Sequence, residues 1–139
     1  MYKMSLWDYQ VRGRNAIQEW ADRVRLSKRD RGLLDQKVDA LEAMAFELAT
    51  HTHLVAGPLN NSRDKHIYKL RVNGSIMIRL MMCRGPLLGE NACTFLAGAT
   101  ERDMKLTPVS APSLASERRL QVCEDYRQYR RSHERFAPG

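Results

Sequence analysis

Three cations stand at odd-numbered positions inside a stretch, 66–83, that otherwise reads as two apolar strands: Lys69, Arg71 and Arg79. A buried cation without a partner is very costly, so each must reach water, an acidic partner or an anionic ligand. Guanidinium groups can hold two phosphate oxygens at once, and an ammonium adds a mobile point charge. Such a trio therefore has the chemistry of a phosphate clamp, provided the two strands bring it together.

Register decides whether they do. Asn73-Gly74 is the strongest short-range hairpin signal. A loop of those two residues alone would place Arg79 on one face with Tyr68 and Leu70. If Asn73, Gly74 and Ser75 all lie in the loop, Val72 faces Ile76 and Lys69 faces Arg79. Tyr68, Leu70, Val72, Ile76, Ile78 and Leu80 then form one apolar face. Lys69, Arg71 and Arg79 gather on the other with Ile67, Met77 and Met81. This second register buries no charge and is the expected one. The cations then occupy the open face of a sheet. That face is either a solvated surface or a seat for a phosphate backbone, with apolar side chains for bases to lie on.

The elements around the hairpin follow from periodicity. Residues 5–12 alternate as a half-buried strand, and Gly13 ends it. Ile17, Trp20, Ala21 and Val24 share a helical stripe. Ser27 with Asp30 caps a second helix, whose apolar face runs through Leu34, Val38, Leu41, Ala45 and Leu48. The tight connection predicts an antiparallel helical hairpin. Gly57, Pro58, Asn60, Asn61 and Ser62 make a loop. Strands follow at 66–72, 76–83 and 92–99, then a last helix at about 113–131 with Val122, Tyr126 and Tyr129 as its stripe. The expected fold is α+β: an N-terminal strand, a helical hairpin, a three-stranded antiparallel sheet and a C-terminal helix, as one domain over 1–131. Residues 132–139 read as a flexible tail.

Composition narrows the function. The chain has 139 residues, a net charge of +7, 43% hydrophobic and 28% charged residues, as expected of one soluble domain. The positive balance points to phosphate, on nucleic acid or a membrane surface, or to an acidic protein. No apolar run approaches the roughly 18–20 residues of a membrane span, and the N-terminus has no signal-peptide core, so a cytoplasmic protein is expected. Cys83, Cys93 and Cys123 lack CxxC spacing, and His51 and His53 lack a nearby third ligand, so neither a metal nor a cofactor is expected. Arg118, Arg119, Arg127, Arg130 and Arg131 on the last helix suit ribosomal RNA or an acidic partner, and equally a solvated face.

The order of elements and two motifs resemble the RelE/HigB-like toxins of bacterial and phage toxin–antitoxin modules, the RelE/ParE superfamily. "IYKLRVNGSIMIRLMM" is similar to that family's strand pair. "CTFLAGATERDMKLTP" is similar to its last core strand and the run into the C-terminal helix. The resemblance spans most of residues 5–130. It implies a metal-independent mRNA endoribonuclease, acting at the ribosome or on free mRNA and neutralised by a cognate antitoxin. In that reaction a ribose 2′-hydroxyl attacks the adjacent phosphate, leaving a 2′,3′-cyclic phosphate and a 5′-hydroxyl. It requires a base, cations around the phosphorane and an acid at the leaving oxygen. Carried over by resemblance, Arg79 is the transition-state clamp, Lys69 neutralises the attacking or bridging oxygen, and Arg71 positions the backbone. Glu101-Arg102 stands where the family has two lysines, which makes Glu101 the candidate base. Lys65, His66, Arg84, Arg102 and Lys105 are the candidate RNA contacts. The family's site Tyr or His has no clear counterpart here. The alternatives are a ParE-like gyrase inhibitor, a phage-derived binding module without catalysis, and a basic RNA-binding adaptor.

Overall fold

Strand β1 (Ser5–Val11) turns through Arg12 and Gly13 into the short β2 (Arg14–Asn15). Both turn residues have positive φ, 54° and 73°. This is the two-residue turn whose twist matches paired strands. Asn15 Oδ1 then accepts hydrogen bonds from the Ile17 and Gln18 amides at 3.0 and 3.1 Å, which starts helix α1 (Ala16–Arg23). Ser27 Oγ accepts from the Asp30 amide at 3.1 Å and starts α2 (Lys28–Glu42). The expected stripe continues only to Leu41. A short α3 (Phe46–His51) follows, burying Phe46 and Ala49 and leaving Leu48 49% exposed. The chain then forms β3 (Val55–Ala56), β4 (Tyr68–Asn73), β5 (Met77–Arg84), β6 (Ala92–Arg102) and β7 (Lys105–Thr107). It ends with α4 (Ala111–Glu124), α5 (Tyr126–Tyr129) and β8 (Arg130–Ser132). The computed structural model describes residues 3–59 and 65–137. The expected loop residues Asn60, Asn61 and Ser62 lie outside them. Among the described residues no helix is long and apolar enough to cross a membrane.

The class is α+β, but the expected three-stranded antiparallel sheet is not what forms. One mixed eight-stranded sheet has the order β2-β1-β6-β5-β4-β3, with β7 added to β6 and β8 to β1. The N-terminal strand is inside it, running parallel to β6, with Leu6 beside Cys93 and Asp8 beside Phe95. Pairing there buries Leu6, Asp8 and Tyr9, as expected of a parallel strand covered on both faces.

Both faces of the sheet are indeed covered. Leu70, Val72, Ile78, Leu80 and Phe95 pack with Ile17, Trp20, Leu34, Val38 and Leu41 of the helical pair. Gly98 lies beneath the Trp20 indole, where an added Cβ would overlap the ring. The second face, expected to be open, holds a core of its own, in which Tyr9, Met81, Leu96 and Ala99 meet Ala111, Ala115 and Val122. The hairpin register also differs. Asn73 pairs with Met77, Val72 with Ile78 and Arg71 with Arg79, so Gly74, Ser75 and Ile76 form the loop. The cause is tertiary: Asp30 of α2 accepts the Ser75 amide at 2.9 Å and its hydroxyl as well, fixing the turn. Ile76 leaves the apolar face and is 43% exposed. Because the shift is by two residues, each remaining side chain keeps its face.

The C-terminal helix is shorter than the expected 113–131, and residues 132–137 of the expected tail lie against the fold. Strand β8 pairs with β1. Buried Asp8 accepts from Asn15 Nδ2 at 2.8 Å and the Glu134 amide at 3.0 Å, and meets His133 Nδ1 at 2.8 Å. Asp35 accepts the Phe136 and Ala137 amides at 2.8 and 3.0 Å. Phe136 itself is 3% exposed within the core. Phe136→Ala should therefore lower the unfolding free energy by about 3 kcal/mol in urea denaturation, the usual cost of emptying a buried phenyl site. A loss below about 0.5 kcal/mol, the level of a surface change, would mean the segment does not contribute to the core.

Candidate functional site

The four residues proposed for chemistry stand on one face of the sheet, where β4, β5 and β6 end beside the hairpin loop. Lys69 and Arg71 come from β4, Arg79 from β5 and Glu101 from β6. Period-two alternation puts all four on the α4 side, because Arg71 pairs with Arg79, Arg79 with Ala99, and Met77 with Glu101.

Their environments differ sharply. Arg79 is 2% exposed and among the largest fully buried side chains, which corrects the expectation that it lies outside the core. Its Nη2 donates to Glu101 Oε2 at 3.1 Å, and its Nη1 donates to Asn73 Oδ1 at 3.0 Å and the Ile78 carbonyl at 2.9 Å. Its Nε is buried with no hydrogen-bond partner among the described residues. Lys69 Nζ donates to Glu101 Oε1 at 3.3 Å from a half-buried position. One carboxylate thus takes a cation on each oxygen. Arg71 is exposed and has no carboxylate partner among the described residues.

Burial would raise the Glu101 carboxyl, but the Arg79 and Lys69 charges and their hydrogen bonds more than offset it, leaving it below its ordinary value. Glu101 is therefore ionised at neutral pH, and correspondingly weak as a base. Arg79, with both terminal nitrogens engaged inside the protein, positions Glu101 and does not reach outward. The cation that can meet a ligand freely is Arg71, with Lys69 behind it. A cleft of about 500 Å³ next to Glu101 is lined by Ile76, Met77, Thr100, Glu101, Arg102 and Asp103, which pairs apolar surface with one cation and two acids.

Of the proposed RNA contacts, Arg102 alone lines this cleft. Arg102 and Lys105 form an exposed pair across the turn at Asp103 and Met104, but alternation aims them to the other side of β6 from Glu101. Arg84 lies at the far end of β5, bonded to Glu47 at 2.7 Å and stacked over Phe46. His66 is at that far end too, lining a cleft of about 480 Å³ with Arg84 and Arg119, and exposed Lys65 precedes it. Arg130, read as a helix-face cation, is buried by two bonds to Glu90 at 2.6 and 2.9 Å and by stacking over Trp7. The residue missed at the site is Asn73. In sequence it signals a turn, and nothing local indicates that its amide oxygen holds Arg79. Among the described residues no group of three or more His, Cys, Asp or Glu is placed to hold a metal ion.

Removing Arg79 should strand Glu101 and the Asn73 amide. Arg79→Ala is expected to cost about 3 kcal/mol of stability at neutral pH in urea denaturation, and an unchanged midpoint would refute the pairing. The depressed Glu101 value also sets a pH dependence. The stabilisation is complete above the ordinary value of 4.5 and lost as pH falls through the lower folded-state value, because the unfolded chain then binds the proton more readily. Glu101→Gln should flatten this acid limb, measured as unfolding midpoints between about pH 3 and pH 6. No protein-family model, curated protein or solved structure matches this chain, so the functional reading rests on the geometry of these residues.

Proposed function

We propose that this protein binds the phosphate backbone of single-stranded RNA along the rim where β4, β5 and β6 end, through Arg71 and Lys69, with the apolar side chains of Ile76 and Met77 beneath the bases. The observation that carries this reading is the exposed Arg71 guanidinium, which has no carboxylate partner among the described residues, beside Glu101, which is already shared by two cations. An anion there relieves the mutual repulsion of Arg71, Arg79 and Lys69, which Glu101 offsets only in part. The net charge of +7 supports a polyanionic partner. Exposed Ile76 and Met77 beside the cluster support a strand whose bases are unpaired.

A second reading, cleavage of the bound strand by its own 2′-hydroxyl, is favoured by one observation: ionised Glu101 lines the cleft and lies 3.3 Å from Lys69. The carboxylate would take the hydroxyl proton and the ammonium would offset charge on the phosphorane, with a second acid needed at the leaving 5′-oxygen. Binding alone asks less of these groups and is the reading the geometry supports better.

Fluorescence anisotropy with a labelled single-stranded RNA should show affinity falling with salt. The Lys69→Ala/Arg71→Ala double variant should bind at least about tenfold more weakly, with the log–log salt slope reduced by about 1.4 for two lost phosphate contacts. Equal affinity and slope in the variant would refute the assignment. Mapping RNA ends after incubation tests the second reading, since 2′,3′-cyclic ends produced by the parent protein and absent with Glu101→Gln would establish cleavage.

A further inference from the structure

A second cationic site, independent of the first, lies where β1 turns into β2 beneath the middle of α4. Arg12 of the turn, Arg14 of β2, Arg23 at the end of α1 and Arg118 of α4 line a cleft of about 270 Å³, with Glu19 as the one acid among its lining residues. Arg14 Nη2 already donates to Glu19 at 2.6 Å. Arg118 Nη1 donates to the Leu96 carbonyl at 2.7 Å, and its guanidinium lies 4.7 Å over the Tyr9 ring. Arg12 and Arg23 have no carboxylate partner among the described residues. Tyr9 is itself fixed, its hydroxyl donating to Gln121 Oε1 at 2.5 Å, so the platform under Arg118 is rigid.

Two features set this apart from a solvated basic face. Arg118 is partly withdrawn from water: burial lowers its pKa, and Arg23 pushes the same way against the opposing influence of Tyr9. The guanidinium nonetheless stays charged, since arginine does not lose its proton in proteins. Arg12 holds φ at 54°, a left-handed conformation that glycine, Asn or Asp adopts at lower cost. A long cation there is disfavoured by the backbone and by its neighbours alike.

We propose that this cleft is a seat for a phosphate group, gripped by Arg12, Arg23 and Arg118 with Arg14 held at the rim by Glu19. Guanidinium forks match phosphate oxygens two at a time, and several converging on one dianion give the strong, charge-assisted form of that bond. The volume is below the roughly 300–1,000 Å³ of sites that enclose a whole drug-sized ligand, so the occupant is a phosphate or pyrophosphate with the rest of its molecule outside. That phosphate is either free or the 5′-terminal phosphate of an RNA strand.

Calorimetric titration of the full chain with inorganic pyrophosphate tests the site. Arg12→Gln/Arg23→Gln changes two exposed side chains, and a circular dichroism melt matching the parent's confirms the fold. The parent should bind pyrophosphate at millimolar concentration or below, and the double variant at least about tenfold more weakly. No binding by the parent, or binding undiminished in the variant, overturns the proposal. The Lys69→Ala/Arg71→Ala protein should retain pyrophosphate binding, which keeps this site separate from the backbone-binding rim; loss there instead would overturn it. Paired RNAs with 5′-phosphate and 5′-hydroxyl ends identify the source. Preference for the phosphorylated end, abolished by Arg12→Gln/Arg23→Gln, assigns it to RNA; equal binding of the two assigns it to a free phosphate compound.

Discussion

The interaction on which this molecule turns is the buried bond between Arg79 and Glu101. A guanidinium 2% exposed inside a sheet has exchanged water for a few fixed acceptors, and each acceptor comes from a different element. Glu101 reaches it only because β6 extends past the length its partner β1 needs. Asn73 reaches it only in the register that pairs Asn73 with Met77. A slip of the hairpin would remove one acceptor and leave a partly unsatisfied cation in the core, at a cost of several kcal/mol. The pair thus adds a condition on register to that imposed by Asp30 at the loop. It also decides which cation is left for a ligand, since Arg79 faces inward, Lys69 is drawn toward Glu101, and Arg71 remains outside.

What could be read from the sequence, and what could not, divides along a physical line. Face assignment was legible, because alternation is a local property and survives a register shift of two residues. So was the cap at Ser27, which acts within three residues; the cap at Asn15 was not read. Pairings set by distant partners were not legible. Nothing in 5–12 announces that this strand runs parallel to one more than eighty residues later. Nothing in the Arg130–Ser132 run distinguishes the end of a helix from an edge strand. The same divide separates the site residues. Lys69, Arg71 and Arg79 share a face as their alternation implies, and Glu101 joins them through the pairing of β6 with β5, whereas Arg84, Lys65 and His66 are carried to the other end of the sheet by strand direction.

The acidic residues of α2 hold distant segments in place. Asp35 accepts two backbone amides of the C-terminal segment, and Asp39 meets Arg135 at 3.2 Å. Asp30 holds the hairpin loop from the same helix. Burial would raise its carboxyl, but hydrogen bonds from Ser75 and Ser27 together with the Arg29 charge more than offset that, leaving it below its ordinary value. An acidic helix thus fastens basic or amide-rich segments. Arg71, Arg12 and Arg23 are left without a carboxylate partner among the described residues, and their positions are informative.

Those positions are not random, and strand direction explains why. Strand β1 runs parallel to β6, so its turn with Arg12 lies at the same end of the sheet as Glu101. Strand β5 begins there and β4 ends there, since both neighbouring pairs are antiparallel. One end of the sheet therefore carries Arg71 at one side and the arginine cleft at the other. Three inter-strand spacings of about 4.8 Å separate β4 from β1, so the two lie roughly 14 Å apart across the sheet. The smallest single-strand sites known for binding modules cover about four nucleotides, enough to bridge that span. A strand anchored by a terminal phosphate in the cleft would thus pass the Arg71 rim within its first few residues, so the same topology that buries β1 also aligns the two cationic sites.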